Sequence, residues 1–133
     1  MSTGSTPRGL IDTPVLTAYR EGWPAAVQFI TDVRRGGRPE LSELSALALI
    51  AGCQDAADLA GLGWFFYAAH VHSITAHISR RARQILERLP PPAPLTAGDA
   101  LVAATALAHT LPLYTLDPGR FAAVPGLSAV QPY

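Results

Sequence analysis

The stretch from Leu95 to Phe121 constrains the fold most, because it joins one helix to one strand and carries an acid near each end of that unit. Thr96 with Asp99 three residues later is typical of a helix start, since the hydroxyl accepts from free backbone amides and an acid suits the positive helix end. The short apolar run Leu111 to Thr115 predicts a buried parallel strand, closed by a turn at Asp117. Loops after the carboxyl ends of parallel strands build binding sites, so Asp117 is at a functional position.

The rest of the chain alternates short apolar runs with helical patterns. Leu10 and Ile11 form the first run, Asp12 stands at its carboxyl end, and Pro14 falls in a first helical turn, where its missing amide is harmless. This alternation predicts an α/β domain with a parallel sheet. The predicted strands cover residues 9–11, 40–44, 69–74, 111–115 and 127–130, and the predicted helices cover residues 15–20, 23–33, 45–50, 54–62, 75–89 and 96–109.

Length and composition bound the class of protein. Residues 1–133 are predicted to form one domain that buries its own core, with residues 1–6 as a frayed end. The formal net charge is zero, so nucleic-acid binding would depend on a local basic patch. Cys53 is the only cysteine, which excludes an internal disulfide and fits a reducing compartment. The apolar run Leu62 to Ala69 is too short to cross a membrane, so we predict a soluble, cytoplasmic protein.

Two groups of arginines are candidates for such a basic patch. The segment Arg34 to Pro39 is predicted to be a loop with three arginines, for which a solvated turn is favoured over phosphate binding. Arg80 and Arg81 lie on the polar face of the amphipathic helix that starts at Thr75. That face is either a solvated surface or a basic wall beside a nucleic-acid groove.

An aromatic run and two histidines in the middle of the chain leave two interpretations each. The run Trp64-Phe65-Phe66-Tyr67 belongs either to the core or to a surface for a partner. His70 and His72 are two residues apart in a predicted strand and therefore share a face. That spacing can ligate a metal, but no cysteine or third histidine is close by in the sequence, which favours a structural role.

Three blocks of the sequence resemble the signatures of a known family. Residues 10–16, Leu-Ile-Asp-Thr-Pro-Val-Leu, resemble the N-terminal signature of PIN domains. Residues 99–106 and residues 113–117, with Phe121 after them, resemble the second and third signatures, in the family's order. The segment Ser45 to Gly52 and the compact size make the chain most similar to VapC-type toxins of bacterial toxin–antitoxin pairs. The resemblance implies a PIN-like three-layer α/β/α sandwich with a central parallel sheet.

The same resemblance implies a metal-dependent endoribonuclease. Asp12, Asp99 and Asp117 would be its catalytic residues and would hold Mg²⁺ or Mn²⁺ directly or through water, while Thr13 and Thr115 would orient ligands or water. Converging carboxylates repel one another, so their pKa values rise unless a cation is present. Magnesium is usually held by one or two carboxylates, waters and substrate phosphate oxygens. A metal in such a site activates water and stabilises the charge that develops as a phosphodiester is cut.

Partners are also implied by the resemblance. They are a cognate VapB-like antitoxin with a segment lying over the site, a second copy of the chain in a homodimer, and an RNA substrate. Because the net charge is zero, contacts to RNA would depend on local arginines such as Arg34, Arg80 and Arg81.

One position departs from the family pattern. The family segment resembles Thr-Leu-Ala-Glu-Leu-Leu-Ala-Gly, whose glutamate is a core acid of the metal site, and the matching residue here is Ala48. Three explanations stay open: Glu43 supplies the acid from a different backbone position, the site lacks one ligand, or the alanine was introduced to silence a toxic enzyme. The second functional hypothesis follows from this departure. It is a catalytically weakened or inactive PIN module that acts by binding an antitoxin or RNA.

Overall fold

The computed structural model describes residues 6–133, which form a five-stranded sheet flanked by helices. The predicted frayed end, apart from Thr6, lies outside the described residues. Within the described part of the chain, no helix has the length and apolar character needed to span a bilayer. The strands are β1 (Leu10–Ile11), β2 (Glu40–Ser42), β3 (His70–His72), β4 (Leu113–Tyr114) and β5 (Ala129–Val130). The helices are α1 (Thr13–Arg20), α2 (Pro24–Gly36), α3 (Glu43–Ala51), α4 (Ala56–Ala68), α5 (Ala76–Glu87) and α6 (Ala97–Ala108), with a short 3₁₀ helix at Pro118–Phe121.

The strand order is β3-β2-β1-β4-β5, and every neighbouring pair is parallel. The predicted parallel sheet is therefore confirmed. All five strands end at the same edge of the sheet, which we call the carboxyl edge, and begin at the opposite, amino edge. Asp12 directly follows the central strand β1, and Asp117 follows the neighbouring strand β4. The topology thus brings these two acids to one edge.

The two residues of β1 point into two separate cores. Leu10 packs with α5 and α6 on one face of the sheet, whereas Ile11 packs with α1 to α4 on the other. Both side chains are 0% exposed. Complete burial of such a side chain stabilises a fold by about 1.5–3 kcal/mol. Helices on both faces make a three-layer α/β/α sandwich, as predicted.

Helix α6 begins as the sequence predicts. The Thr96 hydroxyl accepts from the Asp99 amide at 3.1 Å, and the Asp99 carboxylate accepts from the Thr96 amide at 2.9 Å. This reciprocal pair satisfies two amides at the helix start. Six residues of α6 are buried, so this helix packs deep in the domain. The helix ends at His109, followed by Thr110 with a φ of 53°.

Several element boundaries differ from those predicted, and two of the differences move candidate site residues. Helix α2 extends to Gly36, so Arg34 lies in its last helical turn and not in a loop, a position where cations interact favourably with the helix dipole. Strand β2 ends at Ser42, whose hydroxyl accepts from the Leu44 amide at 3.1 Å and caps α3. Glu43 therefore belongs to the first turn of α3 and not to the preceding strand.

Helix α4 is longer than predicted, because it takes in the whole aromatic run. Phe65 is buried against the core, whereas Trp64 is 76% exposed and Tyr67 is 82% exposed. The core interpretation is therefore confirmed for Phe65, whereas a partner surface stays a prediction for Trp64 and Tyr67. Trp64 and Tyr67 are thus exposed aromatic side chains on the surface of α4.

Candidate functional site

Asp12 is buried at the carboxyl edge of the sheet, where it caps α1. Its carboxylate accepts from the Thr13 amide at 2.9 Å and from the Thr115 hydroxyl at 2.8 Å. The Thr115 hydroxyl oxygen also accepts from the Asp117 amide at 3.2 Å. Asp12 itself is 1% exposed. Its carboxylate is therefore held in one orientation by groups from α1 and from the end of β4.

The other two aspartates approach Asp12 from different elements. Asp99 lies in the first turn of α6, and its side chain is 13% exposed. Asp117 stands before the 3₁₀ helix, accepts from the Arg120 amide at 3.3 Å, and has a side chain that is 64% exposed. The group thus ranges from a buried carboxylate to one open to solvent.

The guanidinium of Arg120 lies among the three aspartates. Its Nη1 is 3.4 Å from an oxygen of Asp99, and its Nη2 is 3.9 Å from an oxygen of Asp12. Its Nε is 4.0 Å from an oxygen of Asp117. That Nε is buried and has no hydrogen-bond partner among the described residues. Sequence reasoning missed Arg120, although its place three residues after Asp117, within the same turn, was a usable signal.

The electrostatics of the group are set mainly by burial. Loss of solvent raises the pKa of the Asp12 carboxyl above its ordinary value, and the nearby charge of Asp99 adds to the rise. Hydrogen bonds from Thr115 and Thr13, together with the charge of Arg120, oppose it. Burial therefore disfavours the charged form of Asp12 in spite of the nearby guanidinium.

Helix α3 contributes a serine to this region. The hydroxyls of Thr13 and Ser45 are 2.8 Å apart, and Ser45 is fully buried. The predicted helix begins at Ser45, but this residue lies inside α3, because Ser42 caps the helix. Ala48 lies one helical turn beyond Ser45, is exposed, and lines a cavity of about 280 Å³. Glu43 is half-buried, and the described residues give it no hydrogen bond or ion pair.

Comparison with known proteins identifies the family. The sequence matches the PIN domain family over residues 10–127. The chain belongs to the PIN domain family. This membership confirms the resemblance drawn from the three sequence blocks, which all lie within the matched residues. No curated protein gives a significant sequence match.

Solved structures similar to this PIN domain include several toxin–antitoxin assemblies. A toxin–antitoxin complex from Klebsiella pneumoniae is 23% identical with a TM-score of 0.77, and the match covers 95% of this chain and 98% of that chain. DNA-bound VapBC from Salmonella typhimurium is 17% identical with a TM-score of 0.79, covering 96% and 100%. VapBC-1 from nontypeable Haemophilus influenzae is 16% identical with a TM-score of 0.76, covering 92% and 96%. At these identities the likeness establishes the fold.

The oxygen ligands of this PIN domain suit a hard divalent cation. Carboxylates are the side chains that hold such ions, and a cation beside Asp12 would stabilise its charged form, which burial disfavours. Among the described residues, however, the three aspartates do not form a group whose ligand atoms all lie within 4.8 Å of one another. Magnesium needs only one or two carboxylates, with water completing its shell. The residues present therefore fit the ion, although Arg120 already neutralises part of the group.

The arginines singled out in the sequence fall in different places. The guanidinium of Arg34 lies over two aromatic rings, 5.8 Å from the centroid of Tyr19 and 5.5 Å from that of Phe65. This contact gives Arg34 a packing role on α2. Arg80 is exposed and Arg81 is half-buried on α5, which packs against α6. Arg120 is thus the arginine that the structure brings to the aspartates.

Proposed function

We propose that this PIN domain is a VapC-like, divalent-metal-dependent endoribonuclease that acts as the toxin of a toxin–antitoxin pair. The observation that carries the proposal is the meeting of Asp12, Asp99 and Asp117 around one guanidinium at the carboxyl edge of the sheet. Such edges are where ligands bind in open parallel sheets. Similar solved structures described as toxin–antitoxin and VapBC complexes support the biological role.

Asp12, Asp99 and Asp117 would hold Mg²⁺ or Mn²⁺. Such an ion, when bound, supplies a water of lowered pKa and stabilises negative charge on a phosphodiester. The protein's own part is to keep the ligand oxygens in place. The Thr115 hydroxyl and the Thr13 amide fix the two oxygens of Asp12, and Thr13 is in turn fixed by Ser45. Groups that orient ligands in this way usually affect metal affinity and activity by tenfold or more.

Arg120 would have a second role when RNA is bound, which is to contact a phosphate. A guanidinium is always charged and presents a planar fork that matches phosphate oxygens. The buried Nε of Arg120 makes no hydrogen bond among the described residues, so its N–H remains an unused donor. We infer that Arg120 balances the aspartates in the free protein and contacts the scissile phosphate in the complex. Arg80 and Arg81 remain candidates for contacts to more distant phosphates.

The proposed partners are an antitoxin resembling VapB, an RNA substrate and a second copy of the chain. Exposed apolar side chains on α3 and α4 support a protein partner, since aromatic residues are enriched at interface centres. The exposed residues are Leu47 and Ile50 on α3 and Leu59, Trp64 and Tyr67 on α4. A toxin that cuts cellular RNA would act in the cytoplasm.

A second candidate function follows from Ala48. With no carboxylate at this position, the chain would be a weakened or inactive PIN module that binds an antitoxin or RNA without cutting it. Glu43 is the compensating acid that would preserve activity, and its place in the first turn of α3 keeps it near the carboxyl edge. The two functions differ in one measurable property, the metal-dependent cleavage of RNA.

The direct test is cleavage of a mixed RNA pool by the unmodified chain with Mn²⁺ or Mg²⁺. We expect slow cleavage that stops when a chelator is added, because the proposed chemistry needs the cation. Asp99→Asn should slow cleavage at least about tenfold by removing one ligand charge. Asp55→Asn is the matched control, since Asp55 is an exposed acid at the start of α4, and it should leave the rate unchanged.

Two results would contradict the enzyme proposal. One is cleavage that persists in the chelator, which would identify a contaminating or metal-independent nuclease. The other is an equal loss of rate in Asp99→Asn and Asp55→Asn. RNA binding in a gel-shift assay without any cleavage, even at high Mn²⁺, would favour the binding module.

Arg120→Gln should bind Mg²⁺ or Mn²⁺ at least about tenfold more tightly than the unmodified chain. The guanidinium lies 3.4–4.0 Å from the three carboxylates and competes with the ion for them. Unit charges 4 Å apart interact by up to about 4 kcal/mol near a protein surface, and 1.4 kcal/mol corresponds to tenfold in affinity. Titration calorimetry measures the change, with Arg83→Gln on the exposed face of α5 as the control. Equal affinities in both variants would show that Arg120 does not compete with the ion.

A further inference from the structure

A second cluster of metal-ligating side chains lies at the amino edge of the sheet, away from the aspartates. Glu40 begins β2, His70 pairs with it in register on β3, and His72 follows two residues later on the same face. The His72 Nε2 is 2.9 Å from a Glu40 carboxylate oxygen. Among the described residues, these three form a group whose ligand atoms all lie within 4.8 Å of one another.

A third histidine joins this cluster from another element. His109 ends α6, and its ring centroid lies 4.0 Å from that of His72, the same distance that separates His72 from His70. No sequence pattern predicts this contact, because His109 is far from the other two histidines in the chain. Three imidazoles and a carboxylate thus lie close together at this edge of the sheet. The fold therefore supplies the third histidine that the sequence lacks near His70 and His72.

The charge of Glu40 is balanced by an arginine that is easy to displace. Arg8 donates to the two carboxylate oxygens at 2.5 and 2.9 Å, but its side chain is 66% exposed. Glu40 and His72 are both only 4% exposed, whereas His70 is open to solvent. A cavity of about 360 Å³ is lined by Arg8, Glu40 and His70, among other residues. It provides a route from solvent to the buried carboxylate.

We propose that Glu40, His70 and His72 form a binding site for a divalent transition metal of the Zn²⁺ class, distinct from the aspartate site. Two imidazoles and one carboxylate, with one open position, are a recurrent Zn²⁺ ligand set, whereas Mg²⁺ favours oxygen ligands. Tetrahedral Zn²⁺ holds its ligand atoms about 3.3 Å apart. The ligand atoms of His72 and Glu40 are 2.9 Å apart, so they have to separate by about 0.4 Å to bind the ion. The exposed ring of His70 has to turn toward them as well. The ion replaces Arg8 as the countercharge of Glu40.

The test is Zn²⁺ titration of the full chain by calorimetry, with Mg²⁺ in excess to occupy the aspartates. We expect one Zn²⁺ per chain, and an affinity that falls at least about tenfold in His70→Asn. His77→Asn is the matched control, because His77 is an equally exposed histidine on α5, and its affinity should equal that of the unmodified chain. Arg8→Ala should bind Zn²⁺ more tightly, since it removes the competitor for Glu40. Co²⁺ in place of Zn²⁺ should give the visible absorption bands of tetrahedral coordination.

Three outcomes would overturn the proposal. Equal Zn²⁺ affinities in His70→Asn and His77→Asn would place the ion elsewhere. Loss of the ion in Asp12→Asn, with retention in His70→Asn, would assign it to the aspartates. Weaker binding in a folded Arg8→Ala chain would show that the arginine supports the ion and does not compete with it. Because His70 and His77 are both exposed, neither variant is expected to disturb folding.

Discussion

Glutamate in place of Ala48 should raise the rate of metal-dependent RNA cleavage by about a hundredfold, the upper range for a group that supports a metal site. Ala48 is exposed on α3, one turn beyond the Ser45 that contacts Thr13, so a longer acidic side chain has space there. It would add a carboxylate at the position that the sequence resemblance matches to the family glutamate. Glutamate is also a good helix former, and no loss of stability is expected. Initial rates on one RNA pool, at several Mn²⁺ concentrations, measure the gain.

The control for Ala48→Glu is Ala68→Glu. Ala68 is exposed at the end of α4, beside the amino end of β3. The substitution Ala68→Glu therefore adds the same charge at the amino edge of the sheet, away from the aspartates. Its cleavage rate should match that of the unmodified chain. Equal rates for Ala48→Glu and the unmodified chain would mean that Glu43 or another group already fills the role. A folded Ala48→Glu protein without any cleavage would refute the enzyme proposal.

The sheet could be predicted from sequence because its signals are local. Strands β1 and β4 are short apolar runs next to a turn or an acid, and helices such as α2 and α5 have a periodic apolar stripe, so the parallel α/β class follows. The meeting of Asp12 with Asp117 follows from the same logic, since parallel strands end at one edge. The position of Asp99 in the first turn of α6 follows from the capping box that it forms with Thr96. The catalytic roles of these acids stay predictions.

Other contacts could not be predicted because they depend on side-chain reach between distant elements. The closeness of Arg120 to Asp117 is local, but its reach to Asp12 and Asp99 depends on the 3₁₀ helix that turns the chain after β4. Ser45 meets Thr13 only because Ser42 ends β2 early and α3 starts two residues sooner than expected. His109 meets His72 through the length of α6. No local pattern encodes such distances.

Asn in place of Asp12 should reduce RNA cleavage by about a thousandfold, the upper range for loss of one preorganised electrostatic group. Ala48→Glu is the better background for this measurement if the unmodified chain is slow. Asn keeps the shape of the side chain and its bond from the Thr13 amide, but it removes the negative charge that would hold the cation. Asp55→Asn is the control, because Asp55 also caps a helix but, unlike Asp12, is exposed. A loss of rate smaller than tenfold would show that Asp12 is not part of the reacting centre.

Asp12→Asn should lose activity without losing stability. Because burial raises the pKa of the folded Asp12 carboxyl, the folded state binds this proton more tightly than the unfolded state. The contribution of Asp12 to stability therefore falls as pH rises from about 4, the unfolded value, through the folded pKa. Asparagine removes this penalty, so the thermal midpoint at neutral pH without metal should be no lower than that of the unmodified chain. Added Mg²⁺ should raise the midpoint of the unmodified chain only, because ligands stabilise the state that binds them. A midpoint well below that of the unmodified chain would show that the charge of Asp12 supports the fold, and the loss of cleavage would then reflect unfolding.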